Sequence, residues 1–230
     1  MMCRTQTYTS ALRLLLISLL LLVVGPAFAQ KHIAEAAKKD STRLFRGIAV
    51  SVDAVGAAQM HLSSYGQYEG GLHVNLKDKL FVVFEGGLGK ADADDPNSEM
   101  RYKTSGPYGK VGVDFNLTKN RHDIYRIIGG IRYAFTSFKY DVEGPVVTDP
   151  KWKDEKQFAL EGIKCSQHWM ELVAGVDAKI AGPLRLGWTV RYRRRLVHSD
   201  GDNGAPWYVP GYGRSGNSRL GGTFNITFEL

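Results

Sequence analysis

The chain has 230 residues, with 30 Lys and Arg against 23 Asp and Glu, a formal charge of +7 and two cysteines. Hydrophobic residues at 43% and charged residues at 23% exclude wholesale disorder. Two cysteines exclude a disulfide-stapled scaffold or a Cys-based zinc module, and bases scattered among acids do not make a nucleic-acid surface.

Residues 1–29 read as a secretory signal peptide. Arg4 and Arg13 form a basic start, Leu14 to Val24 an apolar run too short to cross a membrane as a helix, and Ala27-Phe28-Ala29 a cleavage site. Export would leave a chain from Gln30 with 28 bases against 23 acids, a charge of +5, and one cysteine, Cys165. Residues 30–44 do not alternate and read as a periplasmic lead-in.

From residue 45 onward the chain alternates with period 2, the mark of strands with one apolar face. The expected strands are 45–55, 67–76, 80–89, 108–117, 124–138, 168–180, 184–196 and 219–230. In the seventh, Leu184, Leu186, Trp188, Val190, Tyr192 and Leu196 share a face with Arg194, opposite Arg185, Gly187, Thr189, Arg191, Arg193 and Arg195. Three connections are short: 77–79, 118–123 and 181–183. Those at 90–106, 139–166 and 199–217 are long and polar, and 56–66 is intermediate. Prolines are expected in connections, with Pro107 at a strand start, because proline removes a ladder hydrogen bond. Short turns on one side and long loops on the other describe an all-β, eight-stranded antiparallel up-and-down transmembrane β-barrel over 45–230. Outward Phe115, Tyr125 and Phe228 on one side, and Tyr68, Tyr133, Phe135 and Tyr192 on the other, suit two interfacial girdles.

The polar faces carry Asp53, Glu69, Glu85, Asp114, Glu171, Asp177 and Glu229 against Lys110, Arg126, Arg132, Lys179, Arg185, Arg191, Arg193, Arg195 and Arg219. Near balance suits an ion-pair network, because an unpaired buried charge is costly, and an eight-stranded barrel is only wide enough for its own side chains. Glycines on the same faces leave room for the long side chains. A soluble sandwich or barrel with a solvated charged face is the alternative.

No hydrolase, P-loop, metalloprotease or dinucleotide motif is present. His61 with Ser63 and Ser64, and His198 with Asp200 and Asp202, stand near loop positions where a rim hydrolase would place them. Asp200, Asp202 and Asn203, or Asp92, Asp94 and Asp95, supply oxygen ligands for Ca²⁺ but also suit turns. Trp207, Tyr208 and Tyr212 form an aromatic loop cluster that would either meet a partner or fold the loop over the barrel mouth. Arg194 would meet lipopolysaccharide phosphates at the outer rim.

The segments Tyr108 to Asn116, Gly130 to Phe135, His168 to Gly175 and Tyr208 to Tyr212 resemble an uncharacterised family of small outer-membrane barrels, a domain of unknown function. The resemblance covers roughly 45–230. It implies a barrel in a Gram-negative envelope and offers no catalytic residues. The terminal Phe228-Glu229-Leu230 resembles the signal read by the barrel assembly machinery, with Leu230 where an aromatic residue is usual.

These readings give a non-catalytic outer-membrane barrel with a plugged, charged lumen, no cofactor and no metal. It would contact outer-membrane lipid and lipopolysaccharide, and serve envelope structure or surface interaction through its loops. A narrow porin-like channel and a rim enzyme acting on outer-membrane lipids are the alternatives.

Overall fold

The computed structural model describes residues 44–95, 99–119, 124–148, 155–199 and 205–230. The signal peptide, the lead-in up to residue 43, and Asp200, Asp202 and Asn203 lie outside them. The elements are β1 (Phe45–Asp53), α1 (Ala54–Leu62), β2 (Tyr65–Leu76), β3 (Leu80–Asp95), β4 (Met100–Asn116), β5 (Tyr125–Thr148), β6 (Glu155–Ala181), β7 (Leu184–Ser199), β8 (Tyr208–Val209), β9 (Gly213–Arg214) and β10 (Ser218–Glu229). Eight strands close into a barrel in the order β1-β10-β7-β6-β5-β4-β3-β2, every neighbour antiparallel. The pair β8–β9 forms a separate hairpin within the last long connection.

Closure removes every sheet edge along the paired length, which matters most where no water can satisfy one. The outer face is apolar and open. Trp188 is 60% exposed and Leu220 73%, and Val50, Leu72, Phe84, Val111, Ile131, Leu172 and Val190 join them. The aromatic residues of both girdles point outward. The inner face is charged and shielded: Glu171, Arg185 and Arg191 are wholly buried. A water-soluble sheet has the reverse arrangement, so this is a membrane β-barrel.

The inner end holds the start of β1, the end of β10 and the tight turns. At Lys77-Asp78 both residues take positive φ, 58° and 54°, as the centre of a type I′ turn demands, and Lys79 N donates to Leu76 O at 3.2 Å. Asn75 Nδ2 donates to Asp78 Oδ1 at 2.6 Å and Arg46 Nη1 lies 2.9 Å from Asp78 Oδ2, which hold that turn.

At the outer end the strands run much further than their apolar alternation. β3, β4, β5 and β6 absorb most of the connections expected at 90–106 and 139–166. The reason is an inversion of polarity along single strands. On β5 the outward residues pass from Tyr133 and Phe135 to Lys139, while the inward ones pass from Arg132 to Phe138 and Tyr140. Above the apolar band the sheet is an ordinary soluble one, polar outside and apolar inside. Its charged outward face makes the segment resemble a loop in sequence.

Two prolines therefore lie in strands, contrary to expectation. Pro107 is inside β4, where the β4–β5 ladder skips from Ser105 to Tyr108; Thr136 Oγ1 donates to its carbonyl at 2.8 Å. Pro145 sits in β5 at a bulge between Glu143 and Val146.

The first connection is also different: β1 stops at Asp53 and a helix follows. Asp53 caps it, accepting from Val55 N at 3.0 Å and Gly56 N at 3.1 Å. β1 pairs with only the inner part of β10, from Ala49↔Glu229 to Asp53↔Asn225, while β10 continues beside β7 to Ser218. The helix touches both β2 and β10 and stands in the gap that the short β1 leaves. A Cβ on Gly66 would lie 2.4 Å from Met60 N, so helix backbone rests directly on β2.

Gly66→Ala should therefore open this seam and cost about 1–3 kcal/mol. Gly70→Ala, where a Cβ meets nothing nearer than 3.8 Å, should be silent. The urea midpoint at which the heat-modifiable folded band disappears compares the two.

Candidate functional site: the lumen and its outer plug

The lumen has three layers. In the middle, inward strand positions meet across the axis. Arg191 on β7 reaches Glu69 Oε1 on β2 at 2.6 Å, Glu85 Oε2 on β3 at 3.1 Å and Glu171 Oε2 on β6 at 3.7 Å. Lys110 on β4 lies 2.8 Å from Glu69 Oε2 and 3.2 Å from Glu171 Oε1. Arg132 on β5 pairs with Glu85 and with Asp114, each at 2.8 Å. Arg193 Nε stands 3.1 Å from Glu171 Oε1. Four carboxylates thus face four cations at strand positions that the tight turns fix in register. Neutral donors complete the set: Tyr108 O–H donates to Glu69 at 2.8 Å and Trp169 Nε1 to Glu171 at 2.8 Å.

Space for these side chains comes from the facing glycines. A Cβ on Gly130 would fall 2.0 Å from Asp114 Oδ1, and one on Gly112 would fall 2.6 Å from Arg132 Cγ. Any larger residue there displaces a charged group.

The inner layer is hollow. A cavity of about 320 Å³ is lined by Arg46, His73, Asp114, Arg126, Arg132, Asp177, Lys179, Arg185 and Glu229, among others. Its charges are paired along the wall: Arg126 with Glu229 at 2.7 Å, Arg185 with Asp177, and Arg46 with Asp78. Ser51 Oγ and His73 Nε2 are 2.9 Å apart. Lys179 meets Glu229 only at 3.9 Å and is about half exposed.

The outer layer is an aromatic plug. Ala91, Tyr102, Phe138, Tyr140, Cys165 and Trp169 from the strands enclose Tyr208, Val209 and Tyr212 of the last connection. Tyr208 O–H donates to Gly66 O at 3.1 Å, and Tyr102 O–H donates to Tyr208 O at 2.8 Å. Arg193 Nη1 donates to Tyr212 O at 2.8 Å, joining the plug to the charge network. Gly211 has φ 78°, and a Cβ there would strike the Tyr108 ring at 2.4 Å, so only glycine makes this turn so close to the wall. Burial pushes the Tyr102 and Tyr208 phenols up, well above an ordinary tyrosine.

Most of the expected lumen residues meet here, but not all as ion pairs. Asp53 serves backbone N–H groups, including Phe224 N at 3.3 Å. Arg195 donates to Asn217 Oδ1 at 2.8 Å, and Arg219 to Arg214 O at 2.8 Å, so both tie down the last connection. Tyr208 and Tyr212 lie inside the mouth; Trp207 sits at its edge with the Arg214 guanidinium 4.9 Å above its ring. Asp92, Asp94 and Asp95 lie in β3 rather than in a turn, and Arg101 pairs with Asp92 at 3.1 Å and Asp94 at 3.5 Å. His61 meets the Tyr68 hydroxyl at 3.0 Å, and Ser63 closes α1 through its backbone N–H to Gln59 O. His198 is near the end of β7, opposite Gln167. Tyr108, Trp169 and Arg46 are not among the expected lumen residues; the first two lie on the inward faces, so alternation alone places them.

The family model described as "Domain of unknown function (DUF6048)" matches residues 11–230. The chain belongs to this family. No curated protein matches the DUF6048 chain. Among solved structures, it is similar to a major outer membrane protein from Thermus thermophilus, at 17% identity and a TM-score of 0.44, over 80% of this chain and 98% of that one.

Arg191→Met in this DUF6048 barrel leaves Glu69 and Glu85 with too little positive charge. The loss of folded stability should be about 3–5 kcal/mol, read from urea unfolding in detergent micelles. Arg195→Met at the rim should cost less than about 1 kcal/mol.

Proposed function

We propose that this chain is an exported outer-membrane barrel, closed to solutes and not an enzyme, whose role is envelope structure or surface interaction through its outer end. The observation that carries the reading is the filling of the lumen above its inner cavity. The network around Arg191 crosses the barrel, and the Tyr208-Val209 hairpin is tied above it by Arg193. The cavity at the inner end suits a narrow channel on its own, but Lys110, Arg132 and Arg191 stand between it and the outer mouth. The outward surface, where β3 to β6 rise past the apolar band as a soluble sheet, is open to such interaction.

The His61 group gives catalysis no support. His61 is bonded to Tyr68 rather than to a serine, and a nucleophile needs its base within hydrogen-bond reach. The exposed apolar band supports insertion in the outer membrane, and the period-2 pattern of β10 supports assembly through that strand.

The wild-type protein in a planar bilayer should show no reproducible open state. Tyr208→Ala combined with Tyr212→Ala and Arg193→Ala removes the plug and its tie but leaves Lys110, Arg132 and Arg191 across the lumen, so it should stay closed too. A steady open state in the wild type would reject the closed-lumen reading in favour of a channel.

A further inference from the structure

Register brings Lys90 on β3, Ser105 on β4, Lys139 on β5 and Lys164 on β6 into one lateral row: Lys90↔Ser105, Ser105↔Lys139 and Lys139↔Lys164. All four are exposed on the outward face. Neighbouring strands are about 4.8 Å apart, so the row spans roughly 14 Å. Lys139 and Lys164 stand directly opposite one another, an arrangement of like charges that weakens a sheet unless something neutralises it.

The carboxylates nearest by register have closer partners. Asp92, two residues beyond Lys90, pairs with Arg101 at 3.1 Å. Asp141, two residues beyond Lys139, accepts from Gly162 N at 2.6 Å. The opposite side of the row is graded in chemistry. Next come the hydroxyls of Ser137 and Ser166, paired in register. Below them Phe135 lies opposite His168 and Tyr133 opposite Met170, and Phe135 is 51% exposed. Moving down these two strands, the outward surface passes from ammonium groups to hydroxyls to aromatic rings.

We propose that this strip binds the phosphorylated headgroup of an anionic outer-leaflet lipid. Lys90, Lys139 and Lys164 hold the phosphate oxygens, Ser137 and Ser166 bond the polar backbone of the lipid, and Phe135 and Tyr133 pack on its chains. A mobile ammonium takes a phosphate as a point charge without fixed geometry. The proposal rests on the membrane reading above and adds a defined lipid site to it.

The test uses the full barrel reconstituted in phosphatidylcholine vesicles, where folding is checked first by heat modifiability. Failure to insert there would refute the membrane reading itself and does not depend on the lysines. Lipid A or phosphatidylglycerol is then added, and lipid retained per barrel is measured after extraction into detergent and native mass spectrometry. Wild type should retain either phosphorylated lipid. The Lys90→Gln, Lys139→Gln, Lys164→Gln variant should hold it about a hundredfold less tightly, at roughly fivefold per lysine. A control triple, Lys77→Gln, Lys79→Gln, Lys119→Gln, removes equal charge at the inner turns and should retain lipid as wild type does. Equal retention by the outer-row variant, or equal loss in the control, would overturn the site. Competition by millimolar inorganic phosphate as effective as that by lipid would also overturn it, since the hydroxyls and rings would then contribute nothing.

Discussion

The structure depends on the lattice of charges that crosses the lumen from β7 to β2. Glu69, Glu85 and Glu171 come from strands that do not all neighbour Arg191, yet one guanidinium reaches all three. Each of these groups would be prohibitive to bury alone. Together they make a polar interior in which the charges offset one another. With that interior in place, the strands can turn their apolar side chains outward, which is the arrangement lipid requires and water opposes.

The same strands then reverse that arrangement without a break in pairing. On β4 the inward series runs from Lys110 through Tyr108 to Thr104 and Tyr102, and on β6 from Glu171 through Trp169 to Gln167 and Cys165. The charged core passes into an aromatic one within a few residues of the ladder. Tyr108 and Trp169 stand at the change, each packing in the aromatic layer while donating to a carboxylate of the charged layer. Arg193 makes the third link, with one nitrogen on Glu171 and another on the Tyr212 carbonyl. The plug is therefore fastened to the network rather than simply resting on it.

Period 2 made the number of strands, their direction and most of their inward residues legible in the sequence. It could not show where the strands end. An outward Lys139 or Asp141 beside an inward Tyr140 has the same period as the membrane segment with its polarity exchanged, so the run of outward apolar residues stops at Phe135. The helix after Asp53 was hidden differently. Asp53 fits the inward series of β1, and its capping role shows only when the Ala-Val-Gly-Ala-Ala that follows is weighed as a helix start. The rim arginines were legible as inward residues, but their partners are carbonyls and an amide of the last connection. Backbone acceptors leave no trace in a count of charges.

Tryptophan fluorescence in brominated lipid tests the central claim most directly, because the fold places Trp188 outward and Trp169 wholly inside. In vesicles of lipid brominated near the middle of its chains, wild-type emission should be quenched, Trp188→Phe should lose most of that quenching, and Trp169→Phe should keep it. Quenching that follows Trp169, or a folded protein whose Trp188 emission ignores the lipid, would contradict an apolar exterior around a charged lumen.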